Sequence, residues 1–193
     1  MLFFDRTLSF TGHIDFIVSK AYSILGFMMR ICVDFNAVSV FISLYFAYVR
    51  SLLEYAAVIW SPNYDIHVNR IEFVQKKFFS YLFKKLGYYN VIKCSPYLFK
   101  CSVLNIEQLS DRRKNAKLLF VFDVLSGHID SPKLLSLFDV NVPPRSLRNY
   151  SLFRTRNHRS NYGSFELTLT MLSLFSEMYY LFDFGRSRLE FFS

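Results

Sequence analysis

After Gly12 the apolar residues Ile14, Ile17, Val18, Ala21, Ile24, Leu25 and Met28 return every three or four positions, the spacing of one helix face. Two further stretches of that kind follow. The second is expected from about Asn36 to Trp60, with Asn36 as its cap and Phe41, Leu44, Tyr45, Tyr48, Leu52, Tyr55 and Ile59 on one broad face. The third carries the fullest punctuation. Ser61 suits a cap, Pro62 the first helical position and Asp65 the opening turn, while Lys84 and Lys85 fall in the last turn and Gly87 can close it. Asp15 and Arg30 are expected near the two ends of the first helix, each favourable to its dipole.

Beyond Gly87 the pattern loosens. Tyr88 to Val103, broken by Pro96, reads as irregular, with Asn105 and Gln108 as a capping pair for a fourth helix ending at Gly127. Ser131-Pro132 opens a short fifth helix, and Pro143-Pro144 stops the segment after it. A basic stretch over 145–165 is expected to be extended or loop-like, and an apolar one from Leu167 to Phe182 helical. Leu2-Phe3-Phe4 could end a strand. The fold class is mainly α: a helical bundle followed by a further helical and irregular C-terminal region.

A chain of 193 residues is about one domain's length, and 52% hydrophobic residues with 19% aromatics exclude disorder and low-complexity linkers. The longest charge-free run of the first half, Phe35 to Val49, ends at Arg50, short of the roughly 20 residues a span needs. It is expected to be a buried helix, and no membrane partner is expected. MLFFDR has no basic leader and is interrupted at Asp5, so no signal peptide is read and an intracellular setting is expected. Three Cys make no disulfide framework.

Charge is segregated along the chain. Between Glu72 and Glu107 lie Lys76, Lys77, Lys84, Lys85, Lys93 and Lys100 with no acid; between Asp139 and Glu166 lie Arg145, Arg148, Arg154, Arg156 and Arg159 with no acid. Those windows carry +11 against a net +8, so the rest sums to 8 − 11 = −3. Such segregation suits a polyanion, and Phe79, Tyr81, Tyr88, Tyr89, Tyr150, Phe153 and Tyr162 interleave the two windows. A solvated basic face with core aromatics is the plainer reading.

Catalytic signatures are missing from the pattern. The fifteen acids never come closer than four positions, Glu107 and Asp111 being the nearest, so no carboxylate pair marks a two-metal site. Cys94 and Cys101 lack zinc spacing, His13, His67, His128 and His158 lie near no obvious nucleophile, and no glycine-rich phosphate loop occurs. No cofactor and no metal are expected. Arg50 and Glu54, one turn apart, can pair along a helix or fix its docking, whereas Arg70 and Glu72, two apart, cannot face each other. Both sets are read as structural.

The run FDRTLSFTGHIDFIVSKAYSILGFMMRI (residues 4–31) resembles the segment after the palm of reverse transcriptases from jockey-like non-LTR (LINE-type) retrotransposons. The correspondence rests on Asp5, Leu8-Ser9-Phe10, His13-Ile14, Lys20-Ala21, Leu25-Gly26-Phe27 and Arg30. It continues in order through YVRSLLEYAAVIWSP (48–62), NRIEFVQKKFF (69–79), SDRRKNAKLLFVFDVLSGHIDSPKLL (110–135), VPPRSLRN (142–149), HRSNYG (158–163) and LFDFGRSR (181–188). Around Met171 to Ser176 the pattern departs, with Leu174 and Ser176 where the family has Arg and Asn.

The resemblance implies a palm-edge remnant (1–12), a thumb-like helical bundle (13–87), a connecting helical region (88–138) and a basic C-terminal region with a last helix (139–193). The family's (Tyr/Phe)-Ala-Asp-Asp polymerase box has no counterpart in the chain, so fingers, palm and their Mg²⁺-binding carboxylates are expected to be missing. A thumb holds template–primer through phosphates and sugars without reading bases. The implied function is therefore a non-catalytic fragment that grips RNA or an RNA–DNA hybrid, through Lys76, Lys77, Lys84 and Lys85 and through the arginines from Arg145 to Arg159. The alternative is a scaffold piece active only when docked on a palm, or a decayed transposon remnant.

Overall fold

The computed structural model describes residues 2–4, 9–32, 37–88, 95–138, 153, 171 and 172. The chain divides into two compact units, Met1–Arg113 and Lys114–Ser193. All described elements are helices, and the mainly α class holds. None of them is long and apolar enough to cross a membrane.

The first unit is built on three helical rods. Helix α1 (Thr11–Ile31) buries His13, Ile14, Ile17, Val18, Ala21, Leu25 and Met28 along the expected stripe. Because α1 starts at Thr11, Asp15 lies a turn too deep to serve the helix dipole, and it pairs instead with Arg70 of helix α5 (Asp65–Lys85). Farther along, the Tyr81 hydroxyl donates to the Met29 carbonyl at 3.2 Å and the Lys85 ammonium to that of Cys32 at 2.7 Å. Residue numbers therefore rise together along both helices, which run side by side and parallel.

Between them the chain returns through α2 (Val38–Leu44), a π-helical stretch (Tyr45–Arg50), α3 (Ser51–Glu54) and α4 (Ala57–Trp60). This replaces the single helix expected over 36–60, and the cap assigned to Asn36 lies outside the described residues. The reason is a core row, Phe41, Tyr45, Val49, Leu53 and Ala57, that repeats every four residues. A four-residue repeat drifts around an α-helix of 3.6 residues per turn. The wider π turn absorbs part of that drift, and a break at Tyr55-Ala56, where Ala56 takes φ +53°, absorbs more. Tyr48 and Tyr55, expected on the buried face, are left mostly exposed. Trp60 ends the rod fully buried, its indole N–H donating to the Tyr55 carbonyl at 2.7 Å.

Helix α5 begins at Asp65, with Tyr64 and no side chain capping it, so Ser61 and Pro62 belong to the preceding loop. It ends as expected: Gly87 takes φ +76°, with bonds from Tyr88 N to Phe83 O and from Gly87 N to Lys84 O. Helix α6 (Tyr97–Leu104) occupies part of the stretch expected to be irregular. Pro96 precedes its first residue, a place where a missing N–H costs nothing. Asn105, at φ +51°, closes α6 rather than capping α7 (Leu109–Leu125).

In the second unit, Leu118, Val121, Val124, Phe138, Phe153, Met171 and Leu172 are buried. The short α8 (Pro132–Leu135) starts on Pro132 after Ser131 as expected. Apart from Phe153, Met171 and Leu172, the extended stretch expected over 145–165 and the helix expected over 167–182 lie outside the described residues.

His13 shows how tightly the α1 end is closed. Its ring meets Trp60 edge-on at 5.3 Å, its Nδ1 accepts a long 3.5 Å bond from Phe3 N, and its Nε2 is buried without a partner. Burial first, and the positive amino terminus second, hold its pKa below the ordinary 6.5. The unfolded chain thus takes up the proton first as pH falls. Stability is whole above about pH 6.5 and declines as pH drops through the folded value, by at most about 1.4 kcal/mol per pH unit. Thermal melts at about pH 7.5 and 5.5 should show a loss for the native chain that His13→Phe reduces. An equal loss in both would place the sensitivity elsewhere.

Candidate nucleic-acid interface

Helix α5 is amphipathic, with two distinct flanks. Ile71, Val74, Phe78, Phe79, Leu82 and Phe83 face inward, Tyr45 stacking on Phe78 at 4.1 Å between nearly parallel rings. Opposite this row lie Arg70, Phe73, Lys77, Ser80 and Lys84. From Arg70 to Lys84 that outer side carries no acid, because Glu72, the one acid of this stretch, is buried.

The four expected lysines do not share one face, since successive residues turn by about 100° around the axis. Lys77 and Lys84 are exposed on the outer crest; Lys77 also sits 5.0 Å from the Tyr22 ring of α1. Lys76 leans the other way, its ammonium 5.0 Å from the Phe73 ring and 4.8 Å from that of Tyr97. Lys85 points to the opposite flank, bound to the Cys32 carbonyl and 4.5 Å from the Phe41 ring. There it stabilises the C-terminal end of α1. Arg145, Arg148, Arg154, Arg156 and Arg159 lie outside the described residues.

Behind this surface is a polar lock that the sequence did not reveal. Glu72 accepts from the Tyr97 hydroxyl at 2.6 Å and from Ser110 N at 2.6 Å, with Arg113 Nη2 3.7 Å away. Burial, reinforced by the bond to Glu72, pushes the Tyr97 phenol far above its ordinary range, and burial pulls Arg113 down. Neighbouring Gln75, fully buried, accepts from the Tyr45 hydroxyl at 2.8 Å and donates to the Glu107 carbonyl at 2.9 Å. A charged residue at position 72 within the inward row was the available signal.

The pair Arg50 and Glu54 meets at 3.8 Å, with the Arg50 guanidinium 3.7 Å above the Phe46 ring. Glu54 also accepts from two nitrogens of Arg112, which reaches Glu107 as well. These contacts raise the Arg112 pKa, its bond with Glu54 contributing most. Glu54 of this pair does fix docking: through Arg112 it holds the start of α7 against the middle rod. Arg70 and Glu72 turn to different partners, as their spacing requires.

Chemically the outer side of α5 presents cations and rings. Among the described residues no three His, Cys, Asp or Glu side chains converge on a point where a metal could sit. Cys32 and Cys101 are buried free thiols; burial raises the pKa of Cys101. No protein-family model matches the chain. No solved structure matches it either. An uncharacterized protein of Caenorhabditis elegans is 24% identical over 145 residues, spanning 75% of this chain and 71% of that protein.

Proposed function

We propose that the chain is the thumb and following region of a LINE-type retrotransposon reverse transcriptase, and that it grips RNA or an RNA–DNA hybrid without copying it. The observation that carries this reading is the outer side of α5, where Arg70, Lys77 and Lys84 stand, with Lys76 on the flank beside them and no exposed acid on the helix between. Cations spaced along one rod meet successive phosphates and release counterions, which gives affinity without base readout. The resemblance running in order along the chain supports the family, and the polar lock behind α5 supplies a rigid backing.

Two measurements test it. Fluorescence anisotropy with a labelled RNA–DNA hybrid at low salt should show saturable binding that weakens as salt rises. Primer extension with Mg²⁺ or Mn²⁺ should give no incorporation above a vector control. Absence of binding would remove the grip, and incorporation would refute the non-catalytic assignment.

A second reading, a scaffold that works only when docked on a palm, draws on α6, where Leu98, Phe99 and Val103 are exposed. A chain that is monomeric, unfolds cooperatively and binds no dye for apolar surface would contradict it.

A further inference from the structure

Phe73 stands 54% exposed among the cations of α5, a ring set where a ligand's phosphates and bases could both be met. It lies at the lip of an open groove between α1 and α5, lined by Asp15, Val18, Ser19, Tyr22, Arg70 and Phe73. Lys76 and Lys77 follow Phe73 at three and four residues, so each is its neighbour on the helix surface. One cation leans to each flank: Lys76 over one face of the Phe73 ring itself, Lys77 over Tyr22 across the groove. Arg70 closes the far end, and its partner Asp15 is the groove's acid, already neutralised by that pairing.

We infer that Phe73 is a stacking platform for an unpaired base, and that this side of α5 binds single-stranded nucleic acid in preference to a duplex. The inference rests on the grip proposed above and specifies its ligand. In a duplex the base faces are hidden within the stack, so an exposed phenyl gains nothing there. An unpaired base offers a π-face of Phe73's own kind to the ring face that Lys76 does not cover, and the ammonium groups of Lys76 and Lys77 supply charge for its phosphates. The groove supplies no array of fixed donors and acceptors, which fits stacking without sequence readout.

The test uses the full chain with labelled oligo(U) RNA of about 20 nucleotides and with the same strand annealed to oligo(dA), which makes the RNA–DNA hybrid. Phe73→Ala should weaken binding of the single strand about tenfold, with the salt dependence unchanged and duplex binding unaffected. Phe73→Trp should keep the native affinity, which separates loss of stacking from loss of packing. Equal binding of both forms, with Phe73→Ala neutral, would overturn the single-strand inference while leaving the grip standing. Binding to neither would overturn both. Phe73-dependent capture by phosphatidylserine vesicles, with no strand binding, would overturn it in favour of a lipid surface.

Discussion

Replacing Glu72 with Ala is expected to destabilise the first unit by about 3–5 kcal/mol, the largest effect of any single polar change there. The substitution leaves Arg113, 2% exposed, as a buried charge without its counter-charge. It also strands the Tyr97 hydroxyl and the Ser110 amide, both of which donate to Glu72. Arg113→Met is expected to cost less, because Glu72 would keep both hydrogen bonds. In the pair Glu72→Leu/Arg113→Met, neither charge of the lock remains buried, so part of the loss should be recovered relative to Glu72→Ala. Urea unfolding of the three variants gives the order. A Glu72→Ala variant within about 1 kcal/mol of the native chain would show that Arg113 reaches water and that the lock is not closed.

The helices themselves were legible because their apolar stripes are strong: the buried face of α1 is the one its spacing indicated, and Gly87 closes α5 in the expected left-handed turn. The middle rod was not, for a specific reason. Read at α-helical spacing, residues 36–60 place Tyr48 and Tyr55 inward, but a π turn and a break at Ala56 shift the register toward Val49, Leu53 and Ala57. Nothing in an apolar residue's identity announces a π turn, since it is the row's phase against its neighbours that selects it. The caps misled in a similar way. Ser61 and Asn105 have good capping chemistry, yet the next helices start at Asp65 and Leu109, and Asn105 instead closes α6 in the left-handed conformation.

For the interface, spacing along the chain indicated the acid-free window but not its orientation. Lys76, Lys77, Lys84 and Lys85 are close in sequence, yet Lys85 turns inward to serve α1 while Phe73, which charge spacing does not single out, stands at the crest. Spacing did show that Arg70 and Glu72 must seek different partners. It could not identify Asp15 and Arg113 as those partners, because both contacts depend on how distant segments dock.

The second large effect is expected from Lys76→Gln, Lys77→Gln and Lys84→Gln combined. Each phosphate contact contributes about 0.7 to the salt exponent on single strands, so losing three should weaken binding near 0.1 M salt by about 100-fold. None of the three carries a hydrogen bond that holds the core, and fold stability should change little. Lys85→Met is the contrasting case. It removes the charge bound to the Cys32 carbonyl, so it should lower the melting temperature while leaving the salt exponent nearly untouched.

The most direct measurement is a salt titration of oligonucleotide binding by the native chain and the triple lysine variant, plotted as log K against log salt. If α5 is the gripping surface, the native line should be steep and the variant's slope shallower by about 2. Parallel lines would mean that these lysines touch no phosphate, and that the outer side of α5 is an ordinary solvated helix face.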